Sequence, residues 1–181
     1  MSAKTYVALL RGVNVGGKHK LPMKDLVEIF TAGSCKGVRT YIQSGNAVFT
    51  CSESVFRGLR SALEKKIASR FGFPAPVVLR SREQMAQVVR NNPFLKAGKS
   101  EQALHVMFLA DAPGAEAVAT LDPMRSPGDE FRVIGSEIYL HLPNGAGNSK
   151  LTNAYFDSKL STIGTGRNWA TVLKLLEMMQ E

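Results

Sequence analysis

Apolar residues recur along this chain with two periods, every second position in some stretches and every third or fourth in others, and each change of period predicts a new element. Thr5 to Leu10 reads as a strand. After a glycine-rich loop, Pro22 to about Thr31 reads as a helix, with proline tolerated in the first turn and Gly33 ending it. Val38 to Ile42 and Ala47 to Cys51 form a hairpin around Gln43-Ser44-Gly45-Asn46, where glycine and asparagine supply the positive φ of a tight turn. Pairing then puts Val38, Thr40, Ile42, Ala47, Phe49 and Cys51 on one face and the more polar Arg39, Tyr41, Gln43, Asn46 and Thr50 on the other. A helix from Ser54 to about Arg70 and a strand from Pro76 to Arg80 follow, the proline suiting a sheet edge. Ser81 and Gln84 have the spacing of a capping box for a helix reaching Asn91.

The cycle then restarts. Leu104 to Leu109 is a strand, Gly114 to Leu121 a short helix, Phe131 to Ile134 with Ile138 to Leu142 a second hairpin, and Leu151 to about Leu160 a helix. No fourth strand is evident in this half. A last helix, Asn168 to Gln180, sets Trp169, Val172, Leu173, Leu176 and Met179 along one stripe, which makes Trp169 a core anchor.

A repeated order of strand, helix, two strands and helix predicts an α+β fold of two ferredoxin-like βαββα(β) halves packed together. Each would have an antiparallel or mixed sheet with helices on its outer face. Residues 1–98 form the first half, and 99–181 a second, incomplete half closed by the last helix. The first strand of each half is apolar on both faces, so a second cover is needed, and the other half is the natural one. The duplication is read as internal to one compact chain, whose oligomeric state is left open with a monomer as the simplest expectation.

Composition narrows the class. With 181 residues and 44% hydrophobic content, the chain can bury roughly 70% of its unfolded surface without metal or disulfide staples. Cys35 and Cys51 are too few for a disulfide framework and too far apart for a CxxC site, so both read as free thiols in a reducing compartment. The apolar run from Tyr6 to Leu10 is too short for a signal core or a membrane span, which makes the cytoplasm the default and gives no membrane partner. The net charge of +8 is uneven: residues 1–100 hold seventeen Lys and Arg against five Asp and Glu, whereas 101–181 hold six against ten. A basic first half permits an anionic partner, although a solvated face is the better-supported reading and attraction between the halves is a further one.

Chemistry is sought in the loops. Arg11-Gly12-Val13-Asn14-Val15-Gly16-Gly17-Lys18 joins a strand to a helix, where backbone N–H groups favour an anion. His19 stands where a Walker loop needs Ser or Thr, and the glycine spacing is not GxGxxG, so a plain turn is the competing reading. Pro143-Asn144-Gly145-Ala146-Gly147-Asn148-Ser149-Lys150 is the second glycine-rich loop; Asn148 or Ser149 is placed to cap the following helix, with Lys150 in its first turn. His19, His105 and His141 have no metal-ligand spacing, and His105, among apolar neighbours in a strand, reads as a satisfied core histidine. Neither GxSxG nor HExxH occurs. Tyr41, beside Arg39 and Gln43, is the aromatic best placed for base stacking.

The stretches ALLRGVNVGGKHKLPM (Ala8 to Met23), YIQSGNAVF (Tyr41 to Phe49), NPF (Asn92 to Phe94), YLHLPNGAGNSKL (Tyr139 to Leu151) and TGRNWATV (Thr165 to Val172) resemble a bacterial family, the domain of unknown function 1697. The resemblance implies an α+β fold of two related halves. It implies no established activity, substrate or cofactor, and therefore no catalytic residues. His19 stands where relatives are expected to carry another polar residue, often asparagine, which argues against a required histidine.

Three functions stay open: binding of a nucleotide, nucleic acid or other small anionic ligand, a cofactor-independent enzyme on a small anionic metabolite, or a structural or protein-interaction role. The candidate ligand-binding residues are Arg11, Asn14, Gly16, Gly17, Lys18, Tyr41, Ser44, Asn46, Asn148, Ser149, Lys150, Arg167 and Asn168, with Lys20 as a further cation and Arg11 or Arg167 as the clamp of an enzyme. No metal site is expected. The first loop is expected at the strand ends opposite the Gln43 to Asn46 turn, so that any shared site lies where loops of the two halves meet.

Overall fold

The computed structural model describes residues 3–181. Its first unit runs to Met85 and includes Leu175–Glu181; its second is Ala86–Lys174. In the first, β1 (Lys4–Leu10), α1 (Met23–Ala32), β2 (Lys36–Tyr41), β3 (Asn46–Cys51), α2 (Glu53–Phe71) and β4 (Val77–Ser81) build a four-stranded sheet ordered β2-β3-β1-β4. Every pairing is antiparallel.

Local chemistry explains these boundaries. The Ser52 hydroxyl accepts from Val55 N and caps α2, while Gly72 closes it at φ 77°. Leu26, Ile29 and Phe30 of α1 and Leu59, Leu63 and Ile67 of α2 pack with Ala8, Leu10, Ala47, Phe49 and Cys51 into one apolar core. Val7, Leu9, Val48 and Val78 alternate with the residues of that face and are buried too, as the unbroken apolar run of β1 predicts. The Arg39 guanidinium of edge strand β2 donates to Met178 O and pairs with Glu181, tying the C-terminal segment to this sheet.

The chain leaves the first unit within α3 (Arg82–Arg90), whose capping box is complete: Ser81 N donates to Gln84 Oε1 at 2.8 Å and Gln84 N to Ser81 Oγ at 3.2 Å. The second unit contains α4 (Pro93–Lys96), β5 (Leu104–Leu109), α5 (Ala115–Ala119), β6 (Glu130–Ile134), β7 (Glu137–His141), α6 (Asn153–Leu160), β8 (Gly164–Asn168) and most of α7 (Trp169–Met178). Its sheet is ordered β6-β7-β5-β8, again antiparallel throughout. Met107, Leu109, Ile138 and Leu140 pack there against Tyr155, Phe156 and Leu160.

Strand β8 corrects the expectation that the second half lacks a fourth strand. Gly164-Thr165-Gly166-Arg167-Asn168 has no apolar alternation and two glycines, so it carries no strand signal. One of those glycines is required by packing: a Cβ on Gly164 would stand 2.8 Å from Met107 Cγ and Sδ. The α7 stripe also shifts. Trp169, Val172, Leu175 and Met179 are buried, whereas Leu173 is 36% exposed.

Candidate functional site

Antiparallel pairing decides which loops of the first unit meet. Leu9 lies opposite Asn46 and Leu10 opposite Val77, so β3 and β4 begin where β1 ends. The β1–α1 loop (residues 11–22), the β2–β3 turn (42–45) and the α2–β4 loop (72–76) therefore share one end of the sheet. This overturns the expected separation of the first loop from the turn. Leu10 N donates to Gly45 O at 2.8 Å and Arg11 N to Pro76 O at 2.9 Å, joining all three.

Asn14 organises this end. At φ 54°, it donates through Nδ2 to Leu21 O at 2.8 Å and to Gln43 O at 2.7 Å, and accepts from Leu21 N at 2.8 Å through Oδ1. Both amide hydrogens are thereby used, so Asn14 fastens the loop to the turn. Gly16 and Gly17, at φ 58° and 72°, form the tip of a two-residue hairpin in which Lys18 N donates to Val15 O at 3.0 Å and Asn14 N to His19 O at 3.0 Å. Positive φ at both central residues is what a type I′ turn requires. The glycines thus shape a projecting hairpin, and the Val-Gly-Gly-Lys pattern was a readable hairpin signal.

The turn is equally constrained. It comprises Ile42 to Gly45, and Asn46 is the first residue of β3 rather than part of the turn. Buried Asn46 donates through Nδ2 to Tyr41 O at 3.0 Å and Ser44 Oγ at 2.9 Å. Ile42, β-branched, sits at φ 49°, a conformation such residues avoid.

What this end offers outward is cationic and apolar. Lys18 and Lys20 are exposed and make no ion pair among the described residues. Val15 is 64% and Ile42 51% exposed, the first at the hairpin tip and the second in the turn beside it. The His19 ring stacks on Phe73 of the α2–β4 loop with centroids 4.6 Å apart. Tyr41 is half-buried on β2 and Arg11 partly buried at the end of β1. Exposed Val15 and Ile42 and the His19–Phe73 stack were missed because their significance lies in being neighbours.

The second unit spends most of its candidates on its own architecture. Asn148 Nδ2 donates to Asn144 O at 2.9 Å, Ser149 Oγ accepts from Leu151 N at 3.0 Å, and Asn168 Oδ1 accepts from Thr171 N at 2.8 Å at the start of α7. Helix α6 is capped by Thr152, whose Oγ1 accepts from Tyr155 N, so Lys150 precedes the helix and faces no dipole conflict. The Lys150 side chain is exposed. Arg167 is 8% exposed, bonds Thr165 Oγ1 at 2.7 Å and Gly166 O at 2.8 Å, and burial lowers its pKa to about 10.

Two further features were not legible from spacing. Glu130 lies opposite His141 across β6 and β7, and its Oε1 meets His141 Nδ1 at 3.1 Å and Lys99 Nζ at 3.0 Å. The Lys99 hydrogen bond, then that of His141, holds its carboxyl below the ordinary range. His105 corrects another expectation, because its buried Nδ1 has no hydrogen-bond partner among the described residues. Burial pushes its pKa below 6.5, outweighing the opposing influence of the nearby Ala103 backbone. The unfolded chain therefore takes up this proton first on acidification, and the stability present above pH 6.5 is lost as pH falls through the folded pKa. Thermal unfolding followed from pH 7.5 to 5 is expected to show a smaller loss in His105→Gln than in the native chain.

A groove of about 220 Å³ between α1 and α2, lined by Ile29, Leu59, Leu63 and Lys66 among others, lacks the several converging polar groups that orient a small ligand. Among the described residues, no group of three His, Cys, Asp or Glu is placed to hold a metal, and no helix is long and apolar enough to cross a membrane.

Two antiparallel four-stranded sheets with helices, and a bonded cluster of strand-end loops, define an α+β protein whose distinctive residues lie outside its core. The profile of the family described as "Protein of unknown function (DUF1697)" matches residues 3–139, and the chain belongs to that family. The match includes the first three of the five resembling stretches whole and ends on Tyr139, the first residue of the fourth. A solved structure, described as that of a conserved bacterial protein from Streptococcus pneumoniae, is similar with a TM-score of 0.73 at 23% identity, over 98% of this chain and 99% of that one. That likeness is one of fold. No curated protein matches the chain.

Proposed function

We propose that the strand-end loops of the first unit bind single-stranded nucleic acid through its phosphates, with exposed apolar side chains contacting the bases. The observation that carries this reading is the bonding of the 11–22 loop to the 42–45 turn, which fixes the hairpin carrying Val15, Lys18 and Lys20 to the turn carrying Ile42. Residues 11–20 hold three cations and no acid. An open, protruding cationic surface suits an extended polyanion better than a mononucleotide, which needs an enclosing cleft. Each unit is then a ferredoxin-like half of a duplicated fold, which the matching strand orders support.

Fluorescence anisotropy with a mixed-sequence single-stranded oligonucleotide tests the proposed binding. Binding falls as salt rises, and the double substitution K18E/K20E weakens it at least about tenfold at low salt and reduces the slope of log K against log salt by about 1.4. No binding at low salt, or equal binding by the variant, rejects the proposal. Failure with nucleic acid but capture of an acidic protein dependent on Val15 and Ile42 would favour the interaction role instead.

A further inference from the structure

Cys35 and Cys51, sixteen positions apart in sequence, are brought together by the register of the first hairpin. Lys36 pairs with Thr50, so the preceding Cys35 and the following Cys51 face each other across the two strands. Facing residues of antiparallel strands have Cα atoms roughly 4.5–5.5 Å apart, within the span a disulfide bridges. Both side chains are buried in the same apolar core, at 2% and 3% exposure, and the Cys35 thiol donates to Gly33 O at 3.9 Å. No other cysteine competes.

We propose that Cys35 and Cys51 are a redox-sensitive pair that closes into an intramolecular disulfide when the protein meets a peroxide. Cys51 is the attacking group, because the Cys35 thiol keeps its proton toward Gly33 O, and burial, which raises both thiols, pushes Cys35 up to about 12. The Cys51 sulfur attacks one peroxide oxygen, the O–O bond breaks, and sulfenic acid and one water form. The Cys35 sulfur then attacks the Cys51 sulfur, expelling the hydroxyl as a second water, so two thiols are oxidised and one peroxide reduced. Burial makes the reaction slow in the closed fold. It proceeds when the start of edge strand β2 opens, next to the register shift between Lys36 and Arg39. The bond staples the open end of the hairpin whose turn is residues 42–45.

The whole chain is treated with hydrogen peroxide, denatured, alkylated and digested with trypsin. The expected product has no alkylatable thiol and contains peptide 25–36 linked to peptide 40–57, and it unfolds at a higher temperature than the reduced chain. In Cys35→Ser, Cys51 ends as a sulfenic or higher acid with no link. Two thiols still open to alkylation after prolonged exposure, or a disulfide-linked dimer in place of the internal link, would overturn the proposal.

Discussion

Gly45→Ala lowers stability by about 3 kcal/mol in urea or thermal unfolding, one of the largest effects expected of a single methyl group in this chain. Two causes combine. At φ 82°, the left-handed backbone costs an alanine roughly 1–2 kcal/mol. The added Cβ would also stand 2.7 Å from Leu10 Cβ and from Val13 Cγ2, and both residues are 1% exposed and cannot swing aside. Gly72 separates the two causes, because it has a similar φ of 77° with open space around its Cβ. Gly72→Ala therefore costs only the backbone contribution, roughly 1–2 kcal/mol. Equal losses at the two positions would contradict the packing described at Gly45.

Asn14→Ala is expected to cost about 2–3 kcal/mol and to reduce oligonucleotide binding as well. The change strands the N–H and C=O of Leu21, whose side chain is fully buried, and frees Gln43 O from the loop. Asn14→Asp discriminates further. Its carboxylate still accepts from Leu21 N, but it has no hydrogen to give Leu21 O or Gln43 O and sets a negative charge against both carbonyls. A variant that keeps native stability yet binds weakly would point to Asn14 as a ligand contact. Parallel loss of both properties is the expected result, since the residue holds the two loops together.

Much of this architecture was readable locally. The Ser81–Gln84 capping box and the two-sided burial of β1 each depend on a handful of consecutive residues, whereas α2 was expected from Ser54 and is capped by Ser52. Strand β8 was hidden because Gly164 and Gly166 answer to their neighbours in space rather than to a period. The convergence of the 11–22 loop with the 42–45 turn was within reach, for it follows from the antiparallel sense of β1 and β3. The Cys35–Cys51 contact was not, because it depends on a register that shifts between Lys36 and Arg39. Polar residues that looked available for ligand, Asn14, Asn46, Asn148 and Asn168, are occupied with backbone groups, as buried or turn-forming amides generally are. The cations and apolar tips left over carry the functional reading.

The most direct test is a map of amide chemical shifts on the labelled chain as a mixed-sequence single-stranded oligonucleotide is added at low salt. Perturbations are expected to centre on Val15 to Lys20 and Ile42 to Gly45 and to reverse on raising the salt. Shifts confined to residues 143–150, or none at the first unit's strand-end loops, would contradict the proposed binding.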